Sequence, residues 1–92
     1  MVTAIVLIEA KRDKIPETVE SLVDMNGVTE VYSVAGQYDI VAIIRVKENE
    51  QLADLVTRQM LKLDGIEHTN TLVAFEAFSK HDLERMFSIG ME

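Results

Sequence analysis

The sequence predicts one α+β domain with the order β-α-β-β-α-β, in which two helices cover one face of a four-stranded antiparallel sheet. Two segments, 25–31 and 63–69, share one pattern: each ends a helical stretch at a Gly and leads into an apolar run. This repeat divides the chain into two β-α-β halves. The 92 residues are enough for a single domain. Right-handed crossovers place the first and third strands in the centre of the sheet.

The first half begins with a short strand over residues 4–8. This run is apolar throughout and rich in β-branched side chains, which is typical of a strand buried on both faces. The spacing of the apolar residues then predicts a helix over 15–25, with Pro16 in its first turn. Gly27 supplies the left-handed stop that ends it.

The second and third strands are predicted over residues 30–35 and 40–46. The tight connection between them, 36–38, is so short that the two strands must be antiparallel neighbours. The strand over 40–46 is the most apolar run in the chain, in keeping with a central position in the sheet.

The second helix is expected to begin with Asn49 as its N-cap and to end before Gly65. A fourth strand is predicted over 69–78. The helix carries an apolar stripe at helical spacing that would face the sheet; its members are Leu52, Leu55, Val56, Met60 and Leu63. These elements together form the ferredoxin-like plait.

The sheet face without helices predicts an association surface. Strands one, three and four are apolar at nearly every position, and a bare apolar sheet face favours binding to a partner. We expect two protomers to pack there face to face, as a dimeric α+β barrel. Residues 1–78 are then the ligand-binding and oligomerisation domain. Residues 79–92 are a helical tail that either folds back on its own dimer or grips a neighbouring subunit.

Composition excludes several classes of function. The formal net charge of −7 argues against direct nucleic-acid binding, which depends on clustered Lys and Arg. The chain has no Cys, which excludes disulfides and thiolate chemistry. No apolar run reaches the roughly 20 residues of a membrane span, and the first residues lack the basic character of a secretory signal. A cytoplasmic protein without membrane contact is expected.

Nothing in the sequence forms a recognisable catalytic or metal site. The two histidines, His68 and His81, are not at a spacing that would hold zinc on one helix face. No serine lies in a nucleophile elbow, and no phosphate-binding glycine motif occurs. The sequence therefore predicts neither an enzyme nor a bound cofactor or metal.

One turn, residues 34–40, stands out as a candidate binding segment. Gly36 permits positive φ and exposes amide N–H groups that can cradle a carboxylate. Asp39 can accept from an ammonium group, and Tyr38 offers a wall and a hydroxyl. Such a turn suits a free amino acid. The residues alone favour an ordinary hairpin turn, in which the Asp bonds its own backbone.

The order and spacing of short motifs resemble a known family. Gly36-x-x-Asp39 with Tyr38 is followed by Gly65-Ile66-x-x-Thr69-x-Thr71. Together they are similar to the RAM domain, the effector domain of the Lrp/AsnC family of feast/famine regulators. The resemblance covers about residues 4–78. Full-length members carry a helix-turn-helix before this domain, and the sequence does not show one. The chain therefore resembles a stand-alone RAM module.

The resemblance implies an assembly and a ligand. RAM domains pair through their sheets, the dimers form rings that are commonly octamers, and an effector amino acid binds where dimers meet. A co-assembly with full-length Lrp/AsnC regulators is a further implication. The positions of this chain that match the family's effector site are Ala35, Gly36, Gln37, Tyr38, Asp39, Thr69, Asn70, Thr71, Leu72, Val73 and Ala74.

The predicted function is non-catalytic amino-acid sensing coupled to oligomerisation, which modulates transcription through assembly with partners. The alternative is a small cofactor-independent monooxygenase or isomerase on the same dimeric barrel, because fold alone does not decide function. That enzyme would need a cavity between sheet and helices lined by Tyr38, His68 or Arg45. A purely structural assembly domain is a third possibility.

Overall fold

The computed structural model describes residues 1–78 and residue 80, and it has the predicted order of elements. The predicted helical tail, 79–92, lies outside the described residues apart from Lys80. The strands are β1 (Val2–Ala10), β2 (Val28–Ser33), β3 (Ile40–Val46) and β4 (Ile66–Val73). The helices are α1 (Ile15–Val23) and α2 (Asn49–Asp54), which continues as a π-helical turn, Leu55–Gln59, and a 3-10 turn, Met60–Lys62.

The four strands form one antiparallel sheet in the order β2-β3-β1-β4. The prediction that β1 and β3 are central is therefore confirmed. Val6 in the middle of β1 lies opposite Ala42 of β3 and Thr71 of β4. This register brings the end of β1, the start of β3 and the first half of β4 to one end of the sheet.

The hydrophobic core lies between the sheet and the two helical segments. Alternate residues of the central strands point into it, because successive side chains of a strand face opposite sides. The fully buried members with less than 2% exposure include Val6, Ile8, Ile40, Ile44, Leu22, Leu55 and Met60. The apolar stripe predicted for the second helix is confirmed, since Leu52, Leu55 and Met60 are buried in this core.

The other face of the sheet is not covered by the described chain. We call it the open sheet face; its apolar members are Ile5, Leu7, Tyr32, Val41, Ile43 and Leu72. Ile5 and Leu7 are only half-buried, so the prediction that β1 is buried on both faces is wrong for a single chain.

The edge strand β4 is less apolar than predicted. It places His68 and Asn70 on the open sheet face and Thr69 and Thr71 on the helix side. The prediction that strand four is apolar at nearly every position is wrong in its first half. An edge strand has only one strand neighbour, so its polar side chains can reach solvent.

Several strand ends differ from the prediction, while β3 agrees with it. β1 is longer at both ends than 4–8, and β2 begins and ends two residues earlier than 30–35. β4 begins at Ile66 rather than residue 69, because Ile66 already packs against the core and lies opposite Ala10. It ends at Val73 rather than residue 78, where its register reaches Ala4 of β1.

The helix ends show one confirmed and one wrong prediction. Gly27 has φ +99°, which confirms the left-handed stop, although α1 already ends at Val23. The N-cap of α2 is Glu48 and not Asn49. The Gln51 side-chain oxygen accepts from the Glu48 N–H at 3.0 Å, which completes a capping box one residue earlier. None of the helices in the described part combines the length and apolarity required to cross a bilayer.

Candidate ligand site

The predicted binding turn joins β2 to β3 beside the end of β1. The Val34 N–H donates to the Asp39 carbonyl at 2.9 Å, which closes the turn on itself. The Asp39 N–H donates to the Ile8 carbonyl, also at 2.9 Å. The turn is thus tied to the central strand by its own backbone, and its position is fixed by the sheet.

The Asp39 side chain makes a second tie to β1. Its Oδ2 accepts a hydrogen bond from the Ala10 N–H at 2.9 Å. β3 begins at Ile40, opposite Ile8, so no β3 residue lies opposite Ala10. The carboxylate takes the place of that missing strand partner and satisfies a backbone donor that would otherwise be unpaired.

This contact differs from the ordinary hairpin turn that the residues alone favour, because the Asp39 side chain bonds the end of β1 and not its own turn. The residue is half-buried, and its carboxylate links two segments 29 positions apart. Its second oxygen, Oδ1, makes no hydrogen bond to the described residues. Asp39 therefore anchors the turn with one oxygen and presents the other.

The tip of the turn is open backbone. Ala35, Gly36 and Gln37 are exposed, and Gly36 has φ +129°, a conformation that side-chain-bearing residues rarely adopt. A Cβ added to Gly36 would meet no heavy atom within 4 Å. The glycine is required here by its backbone angle and not by crowding.

The turn also meets β4. The Asn70 Nδ2 donates to the Tyr38 hydroxyl at 3.4 Å, a long hydrogen bond that joins the two predicted segments. Thr69 lies opposite Ile8 of β1, the residue whose carbonyl accepts from the turn. Tyr38, Asp39, Thr69 and Asn70 are therefore at the same end of the sheet, as the site prediction requires.

The remaining predicted residues of β4 and Ala74 do not join this group within one chain. Leu72 and Ala74 lie two and four residues further along the strand, about 7 and 13 Å beyond Asn70 at the usual strand rise. The strand also divides its side chains, with Thr69 and Thr71 on the helix side and Asn70 and Leu72 on the open sheet face. A single chain brings the five turn residues together with Thr69 and Asn70, seven of the eleven, and leaves the site open.

A basic cluster that was not predicted from the sequence lies in the loop between β1 and α1. Lys11 and Lys14 follow β1 directly, and their ammonium groups lie 3.7 and 3.3 Å from the Asp64 carboxylate. The hydrogen bond from Lys14 and the two positive charges lower the pKa of Asp64, and Asp64 raises the pKa of Lys14. The sequence signal of this cluster was the segment 11–14, in which three of four residues are cations in an otherwise acidic chain.

A hydrogen bond places the same basic loop against the start of β4. The Lys11 N–H donates to the Gly65 carbonyl at 2.8 Å. A Cβ on Gly65 would collide with the Thr18 hydroxyl of α1 and would lie 2.9 Å from the Lys14 Cβ. Gly65 is thus required by a close approach, and it positions the strand that carries Thr69 and Asn70.

A large surface groove of about 530 Å³ lies at the opposite end of the sheet. It runs beside Gly27, Val46 and α2, far from the predicted turn. Its lining residues are Asn26, Gly27, Val46, Lys47, Glu50, Gln51, Asp54, Leu55 and Gln59. None of Tyr38, His68 and Arg45, the residues that the enzyme alternative requires in a cavity, lines this groove.

Comparison with known families gives a match over most of the chain. The model of the Lrp/AsnC ligand binding domain matches residues 3–83. An uncharacterised HTH-type transcriptional regulator of Pyrococcus furiosus is 40% identical over 74 residues, which are 80% of this chain and 49% of that protein. The HTH-type transcriptional regulator FL11 of the same organism is 32% identical over 75 residues, 82% of this chain and 49% of the regulator. The chain spans about half the length of these curated relatives.

Solved structures give the same result. The protein TTHA0845 of Thermus thermophilus has a TM-score of 0.82 and 44% identity, covering 87% of this chain and 100% of that one. A feast or famine regulatory protein of M. tuberculosis, complexed with L-methionine, has a TM-score of 0.72 and 25% identity over 87% of this chain and 54% of its own. E. coli AsnC shares the fold, with a TM-score of 0.77 at 23% identity; the match covers 83% of this chain and 52% of AsnC.

These matches confirm the predicted fold and the family resemblance. The relatives are transcriptional regulators, and the matched domain binds ligands without catalysis, so the chain is not an enzyme. The motifs that carried the resemblance lie at the turn and at the start of β4, the two segments joined by Tyr38 and Asn70. This chain belongs to the Lrp/AsnC ligand-binding domain family.

Proposed function

We propose that this chain binds a free amino acid at the turn 34–39 and passes the signal on through its assembly with other copies. The observation that carries the proposal is the anchored, open turn. Two hydrogen bonds of Asp39 to β1 hold it, and exposed backbone surrounds Gly36. A rigid site loses little freedom when a ligand binds, which favours affinity.

The turn supplies complementary chemistry for both ends of a zwitterion. The exposed backbone around Gly36 offers N–H groups to a carboxylate. The free Oδ1 of Asp39 accepts from an ammonium, and the polar side chains of Thr69 and Asn70 lie at the same end of the sheet.

A second copy completes the site in this proposal. One chain leaves the turn open to solvent, and Leu72, Val73 and Ala74 lie away from it. We assign Val73, on the helix side of β4, to the ligand side chain across a contact between dimers, whereas Leu72 and Ala74 belong to the contact within the dimer. The dimers themselves form through the open sheet face and assemble into a ring such as an octamer. A ligand at that contact shifts assembly by its different affinity for the two states.

The partners follow from the same contacts. A full-length Lrp/AsnC regulator carries a similar domain, so mixed assembly would connect this chain to transcription without DNA binding of its own. The relatives are transcriptional regulators, which supports a cytoplasmic site of action. A relative that is complexed with L-methionine makes L-methionine the first ligand to test.

Calorimetry of the pure protein tests the proposal. Each of the twenty amino acids is titrated in turn, L-methionine first, and sedimentation velocity follows the assembly state. We expect binding heat with at least one amino acid and a change in sedimentation with the same one. Asp39→Asn should weaken that binding about tenfold or more, a loss of about 1.4 kcal/mol. Glu50→Gln, an exposed carboxylate at the other end of the sheet, is the matched control and should bind normally.

No heat and no sedimentation change with any of the twenty amino acids would contradict the sensing proposal and leave an assembly domain without a ligand. Equal loss of binding in both variants would show that charge alone, and not the turn, determines the affinity. For the partner, a tagged chain should recover a full-length Lrp/AsnC regulator from a mixture. Recovery of only its own copies, with and without ligand, would contradict mixed assembly.

A further inference from the structure

A short apolar segment leaves the edge of the sheet after β4. We call residues 74–78 the arm. Along the described residues, the last backbone hydrogen bond to the sheet runs from the Ala74 N–H to the Thr3 carbonyl at 2.9 Å. Phe75 is fully exposed and Phe78 is 64% exposed. Two uncovered phenylalanine rings within four residues are unusual on a monomer surface and mark an interaction site.

The arm is continuous with the open sheet face. Leu72, two residues before the arm, lies on that face opposite Ile5 and is 48% exposed. Val73, which lies on the other side of the strand, is 54% exposed. The apolar surface therefore runs from the middle of the open sheet face over the sheet edge and onto the two rings of the arm. A partner that covers the face reaches the arm as well.

Charge indicates where the arm would lie. Glu76 is the one charged residue of the arm. Arg45 is exposed at the same end of the sheet: it lies opposite Thr3, whose carbonyl binds the start of the arm. Among the described residues, no carboxylate lies within ion-pair distance of Arg45. The face thus offers a cation, and the arm offers a carboxylate.

We propose that the arm of one chain docks on a second copy of the same chain, with its two rings on the end of the open sheet face and Glu76 beside Arg45 of that second copy. A two-fold pair repeats each contact, since the same patch serves both partners. Face and arm then form one interface, and the arm clamps the pair. This inference concerns the dimer contact and does not depend on ligand binding.

Charge exchange tests the pairing. The dissociation constant of the full 92-residue chain is measured by sedimentation equilibrium for Glu76→Arg, Arg45→Glu and the double variant. Each single variant brings like charges together and should weaken the dimer about fivefold or more, while the double variant restores it. Single variants that dimerise like the parent chain, or a double variant as weak as the singles, would overturn the pairing.

The rings are tested separately. Phe75→Ser should raise the dissociation constant about tenfold or more, because buried aromatic anchors dominate such contacts. Leu61→Ser is the matched control: Leu61 is 58% exposed, but it lies on the helical side and should have no effect. Equal effects of the two variants would contradict a specific arm contact.

Cross-linking distinguishes a second copy from the chain's own remaining residues as the occupant. The chain has no Cys, so Ala77→Cys carries a photoreactive label at one position only. Light and heavy isotope forms are mixed before irradiation. Adducts that join heavy to light chains support the proposal. Adducts confined to single chains would overturn it.

Discussion

The Asp39 carboxylate accepts a hydrogen bond from the Ala10 N–H at 2.9 Å and so joins the turn between β2 and β3 to the end of the central strand β1. The contact gives Asp39 a structural role beside the role in ligand binding that we propose. Any experiment that removes the side chain changes both. The choice of substitution therefore decides what is learned from this residue.

Asp39→Ala is expected to destabilise the fold by about 1–2 kcal/mol, because it leaves the Ala10 N–H without its partner. Asp39→Asn keeps an acceptor oxygen and should recover most of that loss. Urea unfolding followed by circular dichroism measures both. Ligand affinity should fall in both variants, since the ammonium loses its charged partner. An Asp39→Ala variant as stable as the parent would show that the contact has no energetic role.

Gly65→Ala is expected to destabilise the fold by about 1–3 kcal/mol through overpacking. The added methyl group would collide with the Thr18 hydroxyl, which itself donates to the Lys14 carbonyl at 2.7 Å. Thermal unfolding measures the loss. A double variant with Thr18→Ser is a poor rescue because the hydroxyl remains, whereas Gly65→Ala with Thr18→Ala should recover part of the stability. No recovery there would exclude the predicted clash.

Gly36→Ala tests backbone conformation without crowding. The φ of +129° at this position costs a residue with a side chain about 1–3 kcal/mol. The space around the added Cβ is open, so the whole effect is strain. We expect reduced stability and reduced amino-acid affinity, measured by urea unfolding and calorimetry. Unchanged affinity would separate the turn conformation from binding.

The pair between Asp64 and Lys14 predicts a dependence of stability on pH. The lysines lower the folded-state pKa of Asp64. Its contribution is therefore present above the unfolded-state pKa, about 3.9, and is lost as the pH falls through the lower folded-state pKa. The parent chain should exceed Asp64→Asn in thermal stability at neutral pH, and the difference should disappear in strong acid.

Because these groups are exposed, the difference should also shrink in about 1 M salt, where the screening length is about 3 Å. Thermal unfolding of the parent chain and of Asp64→Asn at low and high salt measures this difference in stability. A difference that persists in acid, or that is insensitive to salt, would show that the Asn substitution acts through something other than the ion pair.

The open sheet face gives a direct test of the proposed dimer. Ile43→Lys places a charge in the middle of this face, and a buried unpaired charge is costly. We expect sedimentation equilibrium to show a monomer at concentrations where the parent chain is a dimer. The side chain lies outside the core, so circular dichroism should be unchanged. A dimer of unchanged affinity would place the contact on another surface.

The sequence predicted the order of elements, the central strands and the helical stripe because apolar periodicity reports burial directly. Leu52, Leu55 and Met60 are examples. The predicted end of β4, residue 78, was wrong because Phe75 and Phe78 continue an apolar run without facing the core. An apolar side chain alone does not say whether its own core or a second molecule covers it.

The site was harder to predict than the fold. The positive φ of Gly36 was predicted, because a glycine in a tight turn is a sequence signal for it. The structural role of Asp39 was not predicted. Its hydrogen bond from the Ala10 N–H depends on where β3 begins, and strand ends are set by tertiary packing. The Lys14–Asp64 pair joins residues 50 positions apart that no local pattern connects.

Hydrogen exchange with and without amino acids tests the central claim most directly, because it reports where a ligand protects the backbone in an assembly of any size. The account predicts that at least one of the twenty amino acids slows exchange in peptides that cover 34–40 and 66–74. Peptides that cover 24–28 and 47–55, beside the groove at the other end of the sheet, should exchange as before. Protection confined to that groove, or no protection at 34–40 with any amino acid, would contradict it.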